Sequence, residues 1–422
     1  MKFFKSSLVR SMGIYTLTNV INSAIPFLLL PLLTIYLSPA DYGILTNFNS
    51  LLALLIPFIS LNLMTSLQVI YVKKSNELTD YISTGIFTTI FLTFVFTAVI
   101  FVFSSQISDF TGVPVQFIWF VSIYATFQNI VEVLLSLWRM EDKAIQYGVF
   151  RIVRTIIELG LAIILIVYYG KSFSGSIEAL AISYGIGTVF TLIYLVKKRI
   201  LVWTFKRVHL NYLVRYGVPL IPHVLGSVVF MYTDKLALTY YHGLAANGVY
   251  SVGFMVAQVI GLLQNSFNQA WVPWVFKELA IGKKSVQKQI VKWTYIYFIG
   301  IIVVSLVFYL FTPLIFHFLG KSYAGGMTLV LWIALGFAFN GMYKMVGVYF
   351  FYMEKTGTLA SISIFTAVIN IGLAILLIPS YGFFGAAIGT MISFLIQFLL
   401  TWWLGNRIYP MPWFGSKESI QQ

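Results

Sequence analysis

Ionisable side chains interrupt the apolar stretches of this sequence at a few positions. The clearest case is 215–251, RYGVPLIPHVLGSVVFMYTDKLALTYYHGLAANGVYS, which is long enough to cross a bilayer and carries His223, Asp234 and Lys235. An ionised group at the centre of a membrane helix costs roughly 2.5 to 3.5 kcal/mol on insertion scales, so such groups face a helix bundle or a wet cavity. We expect these three to bind an ion or a polar substrate, or to pair with other side chains.

Asp234 and Lys235 are neighbours, so on a helix they point about 100° apart and cannot both face one cavity squarely. His223 and Ser227 share a helical face with Asp234, which makes Asp234 the better candidate for proton or cation coupling and His223 a candidate relay. A structural aspartate paired across the bundle and a hydrogen-bonded packing histidine are the alternatives.

A second charged group spans residues 128–158. Two predicted helices each present three such residues on one face: Gln128, Glu132 and Arg139, then Arg151, Arg154 and Glu158. Counted from the turn between the helices, Glu132 and Arg154 lie at similar depth, so a buried pair between them is plausible, with Glu158 one turn deeper. The pair could simply lock two helices together, and Arg139 and Arg151 could snorkel to the inner surface.

Further polar residues lie in or beside other apolar stretches. Arg10 and Arg215 open two of them, Asn265 lies in a third, and Asn340 and Lys344 share a face of a fourth. We expect these residues to contact a polar or anionic substrate. Amides more often join helices to one another than bind a ligand, and Lys344 lies close enough to a helix end to snorkel.

Composition assigns these residues to an all-α integral membrane protein. The 422 residues are 59% hydrophobic and 9% charged, with too little polar surface for a soluble globule. Cysteine is absent, and the four histidines have no metal-ligand spacing. No nucleotide-binding loop and no Ser/His/Asp arrangement is present in the sequence, so we expect neither an enzyme nor a resident cofactor.

Twelve apolar stretches are long enough to span a bilayer. They are 11–36, 43–70, 81–104, 115–138, 145–169, 178–196, 215–241, 248–271, 291–317, 326–350, 358–379 and 384–405. With both termini on the inner side, every lysine and arginine except Lys171, Lys235 and Lys321 flanks an inner end. The positive-inside rule therefore predicts cytoplasmic termini, and the net charge of +14 needs no nucleic acid to explain it.

The second half of the sequence repeats the first. IIELGLAIILIVYYG at 156–170 returns as VINIGLAILLIPSYG at 368–382, which aligns Glu158 with Asn370. Six spans separate the repeats, so the halves should be parallel six-helix bundles. We predict an N-terminal lobe at 1–200, a cytoplasmic linker at 201–214 and a C-terminal lobe at 215–422. Prolines near the start of each lobe, at 26, 31, 219 and 222, should bend its first helix.

Three segments resemble the Wzx-type polysaccharide flippases of the multidrug/oligosaccharidyl-lipid/polysaccharide exporter superfamily. They are IPFLLLPLLTIYLSPADYGILTNF at 25–48, YTDKLALTYYHGLAANGVYSVGF at 232–254 and IPSYGFFGAAIGT at 378–390. The resemblance implies two six-helix bundles around a cationic cavity in the bacterial inner membrane. It further implies alternating-access transfer of undecaprenyl-pyrophosphate-linked oligosaccharide repeat units for O-antigen, capsule or exopolysaccharide assembly.

Membrane lipids, a polysaccharide polymerase and chain-length machinery are the other partners that the resemblance implies. A pyrophosphate head group needs arginine or lysine as charge partners, for which Arg10, Arg154, Arg215 and Lys235 are candidates. Two alternatives remain: a multidrug/cation antiporter of the same superfamily, with a cavity rich in carboxylates and aromatics, and a non-transporting membrane scaffold.

Overall fold

The computed structural model describes residues 18, 25, 27–73, 75–280 and 284–413, and these residues form helices joined by short turns without a strand. Contacts divide the chain into two compact units, Met1–Val228 and Val229–Gln422. The helices are α1 (Phe27–Tyr36), α2 (Pro39–Ser60), α3 (Leu63–Lys73), α4 (Leu78–Val102), α5 (Ser104–Thr111), α6 (Val115–Met140), α7 (Ala144–Ile163), α8 (Phe173–Lys197), α9 (Arg207–Gly217), α10 (Ile221–Ala280), α11 (Lys284–Leu310), α12 (Thr312–His317), α13 (Val330–Tyr352) and α14 (Thr356–Ile408).

Within the described residues, eight segments are long and apolar enough to cross a membrane, and together with α1 and α7 they correspond to the twelve predicted crossings. α10 and α14 each contain two crossings, because Gly243 (φ 83°) and Gly382 (φ 55°) break the helix in the left-handed region that favours glycine. α7 carries three charged residues, and it continues beyond Ile163 as a π-helical turn, Ile164–Tyr168. α1 is the described part of the first crossing.

The turns of the two units have the same geometry at equivalent positions of the repeat. Asp142 and Glu354, 212 residues apart, both have φ of 56°. The residue after each donates its backbone N–H across the turn, Lys143 to Trp138 O and Lys355 to Phe350 O, at 2.8 Å in both cases. The same offset relates Gly170 (φ 65°) to Gly382. The charged turn and the glycine were visible in the sequence because both are short-range signals.

The predicted crossing at 43–70 is not one continuous helix. Leu61 and Asn62, with φ of 45° and 51°, separate α2 from α3. The C-terminal end of α9 packs on this break: Asn62 Nδ2 donates to Gly217 O at 3.2 Å, and a Cβ at Gly217 would lie 1.9 Å from Leu61 O. Glycine is therefore required at residue 217.

The prolines of the second half lie at the junction of α9 and α10. Pro219 belongs to a 3-10 turn, Val218–Leu220, and Pro222 lies in the first turn of α10. Gly217, Val218 and Ile221 keep right-handed helical φ and ψ, so the prolines interrupt the hydrogen bonding of a helical path that continues through them. Of the corresponding prolines near the N-terminus, Pro26 lies outside the described residues and Pro31 lies within α1.

The segment between α8 and α9 is fastened to the N-terminal end of α4. Val202 N donates to Ser83 Oγ at 3.0 Å and Lys206 N donates to Thr84 Oγ1 at 3.1 Å. Lys206 Nζ forms an ion pair with Asp80, which also accepts from Thr204 Oγ1. The predicted linker thus belongs structurally to the first unit, where α4 satisfies its backbone donors.

Candidate functional site

Arg154 on α7 forms the main charged contact of the first unit. Its Nη1 donates to Glu158 Oε2 at 2.7 Å, and its guanidinium carbon lies 4.0 Å from the ring centre of Tyr184 on α8. Both charged side chains are mostly buried, with 12% and 24% of the Arg154 and Glu158 side chains exposed. Ser183 Oγ donates to the backbone carbonyl of Arg154 at 2.9 Å, which fixes α8 against α7.

The pairing of Arg154 predicted from depth alone is wrong. Within the described residues its ion pair is formed with Glu158 on its own helix and not with Glu132, which is half-buried on α6. The i,i+4 spacing on α7 brings the two groups together without any contribution from a second helix. Arg151 instead donates to Tyr147 Oη at 2.6 Å, and Arg139 is exposed at the end of α6.

A ladder of polar side chains that was not predicted from the sequence joins α4 to α6. Asn129 Nδ2 donates to Thr89 Oγ1 at 2.9 Å, Thr93 bonds to Thr126, and Thr97 bonds to Ser122 at 2.7 Å. The recurrence of threonine every four residues along α4 is the signal that could have found it. Such bonds join helices within a membrane and do not by themselves indicate a ligand.

Asp234 is the buried carboxylate of the second unit. It is 4% exposed, and its Oδ2 accepts hydrogen bonds from Tyr250 Oη, at 2.9 Å, and from Thr390 Oγ1 of α14. Its other oxygen, Oδ1, is buried without a hydrogen-bond partner among the described residues. Oδ1 is therefore the oxygen at which a proton or a cation could bind. Tyr250 and Thr390 were missed, because neither residue type is unusual in an apolar sequence.

Lys235 is also buried, with 8% of its surface exposed. Its Nζ lies 4.8 Å from the ring centre of Tyr232 and 4.6 Å from that of Phe254. As expected for adjacent helical positions, Lys235 and Asp234 have different partners. The ammonium group is thus held by aromatic faces, an arrangement whose attraction is stronger when the cation is removed from water.

A lysine and three amides connect α10 with α13. Lys344 Nζ donates to Asn265 Oδ1 at 2.5 Å, and Gln264 Nε2 donates to Asn340 Oδ1 at 3.0 Å. We refer to these four residues as the amide–lysine cluster. Asn265 is exposed, whereas Gln264 is buried and its Oε1 has no partner within the described part of the chain. Three of the four members are predicted site residues, and Gln264 is the member that was not predicted.

The repeat gives equivalent positions to residues with different charges. With the offset of 212, Glu132 on α6 corresponds to Lys344 on α13, and both lie ten residues before the left-handed turn of their unit. Glu158 corresponds to Asn370, which is buried and donates to Ser393 Oγ at 3.4 Å. The two units therefore repeat the same helices but have differently charged residues at equivalent positions.

Arg215, Arg10 and His223 are the predicted site residues that remain. Arg215 is exposed in the last turn of α9. Arg10 and the side chain of His223 lie outside the described residues. Within the described residues, no group of three or more histidine, aspartate or glutamate side chains is arranged to hold a metal ion.

Comparison with known protein families shows which family this chain belongs to. Residues 8–279 match the model of a family described as polysaccharide biosynthesis protein. The chain belongs to that family. The family predicted from the sequence motifs is thereby confirmed. An uncharacterized membrane protein of Haemophilus influenzae is 24% identical over 384 residues, which cover 87% of this chain and 89% of that protein.

Two solved structures share the fold of this family member. The inward-facing conformation of a multidrug resistance MATE family transporter of the MOP superfamily aligns with a TM-score of 0.74 and 14% identity, covering 92% of this chain and 94% of that one. The lipid II flippase MurJ in an inward closed conformation aligns with a TM-score of 0.72 and 18% identity, covering 92% and 87%. Both similarities extend over nearly the whole chain and concern the fold.

Proposed function

We propose that this protein is a flippase for undecaprenyl-pyrophosphate-linked oligosaccharide repeat units. It would move them from the cytoplasmic to the periplasmic leaflet by alternating access. Membership of the polysaccharide biosynthesis family supports the substrate class. The main structural support for the proposal is the amide–lysine cluster, because it provides a cation and amide groups within a membrane protein. Pyrophosphate requires the cation, and sugar hydroxyls require donors and acceptors such as the amides.

Asp234 is the proposed coupling residue. A carboxylate with one bonded and one unbonded oxygen can exchange a proton or a cation during a transport cycle, and transfer of the substrate would then follow the ion gradient. Arg154 is the proposed charge partner of the substrate in the first unit, with Glu158 as its partner in the substrate-free protein.

Translocation of a defined lipid-linked oligosaccharide in proteoliposomes tests the proposal. The wild-type protein should make a fluorescent or enzyme-accessible oligosaccharide appear on the opposite leaflet, and the Lys344→Gln variant should do so more slowly. Lys355→Gln is the matched control, because Lys355 lies in the exposed turn after α13 and contacts none of the cluster. Absence of translocation by folded, correctly inserted wild-type protein would refute the proposed function.

A multidrug/cation antiporter is the alternative, and the buried Asp234 carboxylate is the observation that favours it. A cationic drug needs a carboxylate, whereas Lys235 and Lys344 would repel it. The same proteoliposomes distinguish the two functions: an antiporter would accumulate a cationic dye against a proton or sodium gradient, and the flippase would not.

A further inference from the structure

An apolar groove runs along the first unit between α7 and α8. Its cavity volume is about 570 Å³. Each helix contributes side chains at i, i+4 and i+8: Ile145, Val149 and Val153 from α7, and Ile186, Phe190 and Tyr194 from α8. The aliphatic members of the two stripes are roughly half exposed. Exposed hydrocarbon at membrane depth is matched by hydrocarbon, so the groove suits an apolar chain and not a sugar.

The end of the groove that lies deeper in the membrane is next to Arg154. A Cβ at Gly187 would lie 3.2 Å from Val131 Cγ2 and 3.8 Å from Arg154 Cδ, so the helices approach each other closely there. The guanidinium itself points to Glu158 and Tyr184. From Ile145 to Ile157 the groove follows α7 for about 18 Å at the helical rise of 1.5 Å per residue.

Two lysines lie in the turns next to the opposite end of the groove, and one of them is paired with Glu141. Tyr194 lies at this end, and the backbone N–H of Lys198, one turn further along, donates to Tyr194 O at 3.0 Å. Lys143, in the turn before α7, forms a 2.7 Å ion pair with Glu141. Hydrogen bonding to Glu141 raises the pKa of Lys143, and the nearby Tyr194 hydroxyl acts in the same direction, so this lysine stays charged at neutral pH. We refer to Lys143 and Lys198 as the cationic mouth.

We propose that this groove is a binding site for the polyprenyl chain of a carrier lipid whose phosphate lies at the cationic mouth. The single groove holds one chain, which a polyprenyl phosphate places there whole, whereas a phospholipid would leave its second chain in the bilayer. An uncharged polyprenol would fill the groove but would bring no phosphate to Lys198 or to Lys143, whose present partner is Glu141. The identity of the lipid rests on the proposed function, because only a lipid-linked substrate brings such a chain to this protein.

Photochemical labelling of the full-length protein with a diazirine-bearing polyprenyl phosphate tests the site. Labelled peptides should come from 145–157 and 183–194. Val153→Trp should lower labelling about tenfold, a loss equivalent to about 1.4 kcal/mol of binding, because the indole fills the groove from an exposed wall position. Ile156→Trp is the matched control: Ile156 is 59% exposed on the same helix, does not line the groove, and should leave labelling within about twofold.

Competition identifies the lipid. Unlabelled polyprenyl phosphate should displace the probe, while polyprenol and phosphatidylglycerol should displace it at least about tenfold less well, and Lys143→Gln combined with Lys198→Gln should remove the preference for the phosphate over polyprenol. Equal competition by phosphatidylglycerol, or labelling that Val153→Trp leaves unchanged, would overturn the proposal.

Labelling and translocation are measured in separate experiments, so the groove site and the proposed function can be refuted independently. If the wild-type protein translocates lipid-linked oligosaccharide but is labelled elsewhere, the groove proposal is refuted and the proposed function stands. If it is labelled in the groove but does not translocate, the proposed function is refuted and the polyprenyl phosphate site stands.

Discussion

The guanidinium carbon of Arg154 lies 4.0 Å from the ring centre of Tyr184, on the helix that packs beside its own. The cation is thus held by an aromatic face on α8 and by the Glu158 carboxylate on α7 at the same time. A charge with two partners is stable without a substrate, and under the proposed function a pyrophosphate would have to compete with Glu158 for it.

Removing Arg154 should therefore affect stability as well as transport. Arg154→Ala leaves Glu158 largely buried without a cation, which should lower the free energy of unfolding by about 1 to 3 kcal/mol. The double variant Arg154→Met, Glu158→Met removes both charges and should recover most of that loss. Thermal unfolding of the purified variants in one detergent measures both effects.

Measuring translocation distinguishes a substrate-binding role of Arg154 from a purely structural role. If Arg154 binds the substrate, the double variant is stable and still slow in oligosaccharide translocation. Recovery of both stability and translocation in the double variant would mean that the Arg154–Glu158 pair only stabilises the structure and has no role in substrate binding.

Asp234→Asn should uncouple transport from the ion gradient. The amide oxygen still accepts from Tyr250 and Thr390, so the variant should fold, while the side chain can no longer exchange a proton or balance a bound cation. We expect translocation that no longer responds to an imposed proton or sodium gradient. Tyr250→Phe is the control, since it removes one hydrogen bond and keeps the carboxylate. A variant that keeps the gradient dependence of the wild type would contradict the coupling role.

The features that could be predicted from the sequence are those that depend on short, local sequence patterns. The repeat, the turns at Asp142 and Glu354 and the break at Gly382 follow from short motifs, and the crossings follow from runs of apolar residues. The break at Leu61 was not predictable, because it depends on the packing of α9 against a left-handed turn without a glycine.

The partners of the charged residues were harder to predict than the residues themselves. Depth along two helices suggested Glu132 for Arg154, but depth does not give the rotation of α6, and Glu158 was already adjacent on α7. The hydrogen bonds of Asp234 come from Tyr250 and Thr390, which lie 16 and 156 residues away. Contacts at such separations are set by tertiary packing, for which a single sequence carries no direct signal.

Lys344→Gln should reduce transport of pyrophosphate-linked substrate more than it reduces stability. Lys344 donates to the exposed Asn265, and glutamine can replace that hydrogen bond but not the charge. We expect the rate of translocation to fall about tenfold, the equivalent of about 1.4 kcal/mol, with a smaller change for a substrate carrying a monophosphate. Comparing initial rates for the two substrates checks this. An equal loss for both would indicate that Lys344 holds α10 to α13 without contacting the phosphates.

The direction of insertion is testable because the wild-type chain contains no cysteine. Single substitutions therefore give labelling without background. In intact cells a membrane-impermeant maleimide should label Asp109→Cys and Lys321→Cys, which are exposed positions on the predicted outer side. It should label Lys198→Cys and Lys355→Cys only after the cells are permeabilised, because the positive-inside rule places both in the cytoplasm. Labelling of Lys198→Cys in intact cells would invert the topology and place the cationic mouth of the groove on the outer face.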